Sequence, residues 1–178
     1  RLNFQFGAEL AETIGELEWA SDFRYLLGQV LLDAGKLDAA LVEDRRAVER
    51  ARASASDYRL RTAIHAQAQA CVRANDLVTV ENLTRQFQAM AEVGMSKRPA
   101  REYDLFLGMI ALEKGRPLEA VPLIEKAVSQ LPPGNSPDSR KMLLYITLAA
   151  AREKTGDFAG AAAAFEKNVG APGDRLPG

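Results

Sequence analysis

Residues 101–133, REYDLFLGMIALEKGRPLEAVPLIEKAVSQLPP, carry the pattern that decides the fold. Gly115 divides this stretch into two halves with apolar residues at helical spacing. Glycine takes the left-handed conformation that closes a helix, and Pro117 suits the first turn of the next helix, where its missing N–H costs nothing. The turn recurs outward as Gly35-Lys36-Leu37, Asn75-Asp76-Leu77 and Gly156-Asp157-Phe158, at spacings of 40, 40 and 41. Seven residues before each turn stands a small residue: Gly28, Ala68, Gly108 or Ala149. Two independent features keep one period, so the unit is a repeated helical hairpin.

The first unit reads Phe23, Leu26, Leu27, Val30 and Leu31 before its turn, then Leu37, Ala40, Leu41, Ala47, Val48 and Ala51 after it. No alternating β-branched run appears between turns. Breakers separate the units at residues 54–57, 94–99 and 131–138, where a Ser or Asp is expected to cap each following helix. Helix pairs are expected at about 22–53, 57–93, 101–131 and 139–169. Residues 4–19 read as one further amphipathic helix with Phe6, Leu10, Ile14 and Leu17 on one side. Gly15 lies half a period before Gly35, so residues 1–20 read as a half repeat. They are followed by repeats over 21–56, 57–100, 101–138 and 139–172 and a disordered tail over 173–178. The small residues Gly28, Ala40, Gly108, Ala120, Ala149 and Ala161 are expected at helix contacts, where they permit approach to about 8–10 Å.

The chain has 178 residues, 47% hydrophobic and 26% charged, enough for a core without disulfides. Its 23 basic and 24 acidic side chains are spread evenly, so bulk charge argues against nucleic acid or an anionic membrane as partner. Apolar runs are too short to span a bilayer. One cysteine and one histidine, Cys71 and His65, leave no disulfide and argue against zinc. They stand six residues apart on one expected helix and face different ways, so a nucleophilic pair is not expected; Cys71 reads as core. Neighbouring carboxylates such as Glu43-Asp44 and Glu16 with Glu18 read as a solvated face. So does the run Arg45, Arg46, Arg50 and Arg52, with Arg45 at pairing distance from Glu49. Phosphate loops, metal-protease patterns and calcium loops are missing, so no enzyme activity and no cofactor are expected. The chain opens without Met or a signal peptide, which reads as an excised fragment; a cytoplasmic setting is favoured over a periplasmic one.

The residues resemble the tetratricopeptide repeat family. The third unit keeps Leu107-Gly108, Gly115, Ala120, Ala127 and Pro132 in the family's spacing; the first keeps Leu27-Gly28, Gly35, Ala40 and Ala47; the fourth keeps Tyr145, Leu148-Ala149, Gly156, Ala161 and Phe165. The second is degenerate. The period here is about 40 rather than the family's 34, as in lengthened repeats of bacterial multidomain proteins. The resemblance implies an all-α, right-handed solenoid of hairpins whose first helices line a concave groove. It implies protein or peptide binding there, through Tyr25, Gln29, His65, Gln69, Leu105 and Met109. Self-association as a homo-oligomer, or effector sensing within a larger signalling protein, is the alternative.

Overall fold

The computed structural model describes residues 2–93, 98–132 and 141–169. They form nine helices and no strand: α1 (Leu2–Thr13), α2 (Leu17–Asp33), α3 (Leu37–Ala53), α4 (Asp57–Arg73), α5 (Leu77–Val93), α6 (Arg98–Glu113), α7 (Pro117–Ser129), α8 (Lys141–Thr155) and α9 (Phe158–Val169). Helices α2 and α3, α6 and α7, and α8 and α9 pack as hairpins, and α1 packs on α2. The expected pairs therefore stand within a few residues. The expected caps in 133–138 and the expected tail lie outside the described residues.

The turns explain the regularity. At Gly35 (φ 70°) the Gly35 N–H donates to the Leu32 carbonyl (3.1 Å) and the Lys36 N–H to the Leu31 carbonyl (2.8 Å), satisfying the last carbonyls of α2. The same pair of bonds recurs at 15, 75, 115 and 156. Asn75 supplies the positive φ (56°) with a residue tolerant of it. A similar turn stands at 55, between hairpins, so from 15 to 75 the turns within and between hairpins share one 20-residue phase. The N-terminal helix consequently ends at Thr13, not at residue 19, and Leu17 to Trp19 begin α2. The expected Ser56 cap makes no side-chain bond; instead Asp76 accepts from the Thr79 N–H (3.1 Å) and Asp157 from the Gly160 N–H (2.9 Å).

Ala55 is the exception among these turn residues, a Cβ-bearing side chain at φ 53°. Here Ser54 Oγ donates to the Ala51 carbonyl (2.9 Å), the acceptor that a backbone N–H takes at the other turns. Left-handed backbone costs an L residue about 1–2 kcal/mol, while glycine gives back about half of that in unfolded-chain entropy. Ala55→Gly is therefore expected to stabilise the protein by up to about 1 kcal/mol. Urea denaturation checks it: the midpoint should rise with an unchanged slope.

The chain divides into two compact units, residues 1–83 and 84–178. In the first, Leu27, Leu31, Leu32, Ala40 and Ala70 form a core cluster flanked by Phe4, Leu37 and Leu41. Cys71 is 2% exposed, the core residue the sequence implied. In the second, Leu112, Ala120, Ile124, Leu148, Ala149, Ala161 and Ala164 share one cluster, and Phe87 stacks on Phe106 at 5.8 Å between ring centres. The expected small contact residues are buried in both units. At Gly108 a Cβ would collide with the Ile124 side chain, and at Gly28 with the Asp44 carboxylate. Helix α1 is turned opposite to its expected face. Ala8 (0% exposed) and Ala11 (4%) point inward and Gly7 meets the Phe23 ring, while Phe6, Leu10 and Ile14 are exposed. Glycine and alanine let α1 approach α2 more closely than the large side chains would, and that contact sets its rotation.

Candidate interaction surface

The first helices of the hairpins hold the residues singled out for binding, and burial sorts them. In unit 1, Tyr25, Gln29 and Gln69 are half-buried on α2 and α4, with the Gln29 amide nitrogen buried and without a hydrogen-bond partner, whereas His65 is 6% exposed and belongs to the α4 core face. In unit 2, Met109 is half-buried against the Leu105, Ala127 and Leu144 cluster, and Leu105 itself is 1% exposed. Leu105 is thus a core side chain, not a wall residue.

The α2 surface contains two side chains that the helical spacing groups with buried Leu27 and Leu31. Leu26 and Val30, one helical turn apart, are each 38% exposed beside Tyr25 and Gln29. Arg59 of α4 closes one end of this wall, pairing with Asp22 (3.1 Å) and Glu18 (2.7 Å) of α2. The outcome is a short apolar strip with an amide, a phenol and an ion-paired end. Nothing in the periodicity separates Leu26 from Leu27, since both fit a broad apolar stripe.

The charged run on α3 is partly structural rather than solvated. Arg24, 5% exposed, reaches Glu12 of α1 (3.0 Å) and Glu43 of α3 (2.8 Å). Arg50 adds a second bond to Glu12 (2.9 Å) and Arg46 one to Glu43 (3.1 Å). Burial pulls the Glu12 carboxyl upward, but Arg24 and Arg50 outweigh it and hold its pKa below the usual carboxylate value. Arg45 donates to the Leu41 carbonyl (3.1 Å) in place of the expected bond to Glu49. In unit 2, buried Asp104 of α6 accepts from Lys126 (2.8 Å) and from Gln130 (2.7 Å), pinning α6 to the end of α7.

Asp44 overturns the solvated reading of Glu43-Asp44. It is 0% exposed, lies against Gly28, and neither carboxylate oxygen has a hydrogen-bond partner. Burial, helped by the Glu43 charge, pushes its pKa up to about 7. The missed signal was register: 44 follows Ala40 and precedes Val48 on the buried stripe, and 80 residues on the same phase holds Ile124. Asp44 cannot reach a substrate, so its raised pKa does not make it a catalytic base. Burial likewise pushes the Cys71 thiol up to about 11, the opposite of an activated nucleophile.

Between α7, α8 and α9 lies a cleft of about 200 Å³ lined by Glu125, Val128, Tyr145, Leu148, Arg152 and Lys167. Arg152 is already committed there to Glu125 (2.6 Å) and to the Gly160 carbonyl (3.0 Å). Among the described residues no group of three His, Cys, Asp or Glu side chains is placed to hold a metal, and no helix is long and apolar enough to cross a membrane.

No family model matches the chain, and no curated protein matches it. Among solved structures it is similar to the crystal structure of BtubC (BKLC) from P. vanneervenii, with a TM-score of 0.61 and 16% identity over 91% of this chain and 70% of that one. At that identity the likeness is one of helical fold.

Proposed function

We propose that the chain is a non-catalytic protein-interaction module, a right-handed solenoid of tetratricopeptide-like hairpins that binds a peptide, a helix or a neighbouring domain. The observation that carries the reading is the α2 wall, where Leu26 and Val30 stay exposed beside Tyr25 and Gln29 although the same helix buries Leu27, Leu31 and Leu32. A helix or extended segment docks on such a strip by apolar anchors, with the Tyr25 ring at its edge. The repeat phase of 20 residues and the buried small residues at helix contacts support the hairpin family. Effector sensing is the second reading: the cleft between α7, α8 and α9 is about 200 Å³, below the roughly 300 Å³ at which ligand pockets begin, but a cleft of about 410 Å³ beside Pro117, Glu119, Lys154 and Thr155 is above it.

The test is capture of partners by the immobilised chain, followed by affinity measurement with the partner obtained. Leu26→Asp and Tyr25→Ala are expected to weaken binding at least about tenfold, the effect of losing one well-packed anchor. Glu49→Lys, on the exposed side of α3, should leave it unchanged. The reverse pattern would move the site to α3 and sink the assignment.

A further inference from the structure

The apolar strip of α2 extends past Leu26 and Val30. One turn and two turns toward the helix start stand Phe23, half-buried, and Trp19, 56% exposed, with their ring centres 6.3 Å apart. Trp19, Phe23, Leu26 and Val30 follow one another at steps of four, three and four residues, the spacing of a seam that meets another helix. Helix α4 shows what covers this register inside the protein. Forty residues on, the same positions hold Arg59, Ala63, Ala66 and Ala70, and the two ends of that stripe touch α2. Arg59 pairs with Glu18 and Asp22, and Ala70 shares a cluster with Leu27 and Leu31; Ala63 and Ala66 between them are buried. The face by which α4 stacks on a helix is thus, in α2, uncovered and built of large apolar side chains in place of alanines.

The charge around the seam has one sign. From residue 2 to residue 35 the acids are Glu9, Glu12, Glu16, Glu18, Asp22 and Asp33, and the one cation is Arg24, buried and committed to Glu12 and Glu43. By the 100° step of the helix, Asp22 and Asp33 fall on one side of the seam and Glu16, at the N-cap, on the other. Glu16 and Asp33 are exposed. Of the cations that adjoin this face, Arg59 is paired with Glu18 and Asp22, and Lys36 stands past the Gly35 turn, outside the helix. Two copies of this seam laid together would set acid against acid, so it is not built to meet itself.

Resting on the reading of α2 as the binding wall, we propose that its seam takes a basic amphipathic helix. Apolar side chains of that helix, at three- and four-residue steps, seat on Trp19, Phe23, Leu26 and Val30, and Lys or Arg at its edges meets Glu16, Asp22 and Asp33.

Trp19 is the chain's one tryptophan, so its fluorescence reads the seam directly. The probe is an amphipathic Leu/Lys peptide of about 18 residues, long enough to cover the seam and free of aromatic residues. Its control keeps the pattern but replaces every Lys with Glu. Titrated into the 178-residue chain at about 50 mM salt, the Leu/Lys peptide is expected to bind saturably and to shift Trp19 emission to shorter wavelength. The Leu/Glu peptide should bind at least about tenfold more weakly. Glu16→Lys combined with Asp33→Lys should weaken the Leu/Lys peptide at least about fivefold at low salt and less at high salt, whereas Leu26→Asp should cost about tenfold at both. Circular dichroism confirms the folding of each variant. No shift with the Leu/Lys peptide overturns the proposal, as does equal affinity for the two peptides or indifference to the double variant. If a captured partner still depends on Leu26 when one of these holds, the wall stands and its basic ligand alone is wrong. If Leu26→Asp leaves the captured partner unaffected, the wall is wrong and the proposal falls with it.

Discussion

Asp44→Asn is expected to raise the unfolding free energy by about 4 kcal/mol at pH 8 and to change it little near pH 3.5. The carboxyl titrates near its ordinary value of 3.8 in the unfolded chain and at about 7 in the folded one, so the native state binds the extra proton between those limits. Stability from this group is complete below the unfolded value and is lost as pH rises through the folded one, at about 1.4 kcal/mol per pH unit. Asparagine keeps the shape and removes the charge. Denaturant titrations of both proteins at half-unit pH steps check it, since terms from other carboxylates cancel in the difference. A difference that does not change with pH would show that Asp44 finds water or a cation in solution. Gly28 is tied to the same contact: Gly28→Ala should be damaging alone and much less so beside Asp44→Ala, which vacates the space its Cβ needs.

Arg24→Met is expected to destabilise the protein by about 2 kcal/mol, because Glu12 and Glu43 lose their shared buried cation and each keeps only a more exposed partner, Arg50 or Arg46. Arg24 bridges three helices from an almost fully buried position, unlike the exposed Arg116–Glu119 pair, where about 0.5 kcal/mol is the usual scale. Adding Glu43→Gln should recover part of the loss. The pH sign is opposite to that of Asp44. Glu12 has a lowered pKa, so its contribution is present above the unfolded carboxylate value and disappears as pH falls through the folded one. Thermal melts of the single and double variants at pH 7 and at pH 3 separate the two effects.

The helical hairpins were legible in the sequence because each turn is closed by backbone bonds that need a positive φ, and Gly35, Asn75, Gly115 and Gly156 announce it. Ala55 performs the same role without announcing it, and Gly15 was visible but was read through as helix. Hydrophobic periodicity gave the buried stripes of α2, α3 and α6, yet it assumes that large apolar residues face inward. In α1 the closest packing is achieved by Gly7, Ala8 and Ala11, so that assumption inverted the helix. Asp44 was hidden for a related reason, since charge among charged neighbours looks solvated until the register places it opposite a glycine. The candidate wall was half legible: Tyr25, Gln29 and Gln69 are half-buried on α2 and α4, while His65 and Leu105 are claimed by the core.

The shared turn geometry also bears on how such a chain can grow. From Gly15 to Asn75 a helix and its closing turn take 20 residues whether the turn lies inside a hairpin or between two, so one joint fits each of those positions. Gene duplication or a designed insertion of a single 20-residue block would therefore splice without a local break, but it would exchange odd and even helices for everything downstream. The interior face of each later helix would then be offered to the wrong neighbour. Only insertions in multiples of two blocks preserve parity, which makes the 40-residue pair, not the helix, the smallest step by which this architecture can be lengthened.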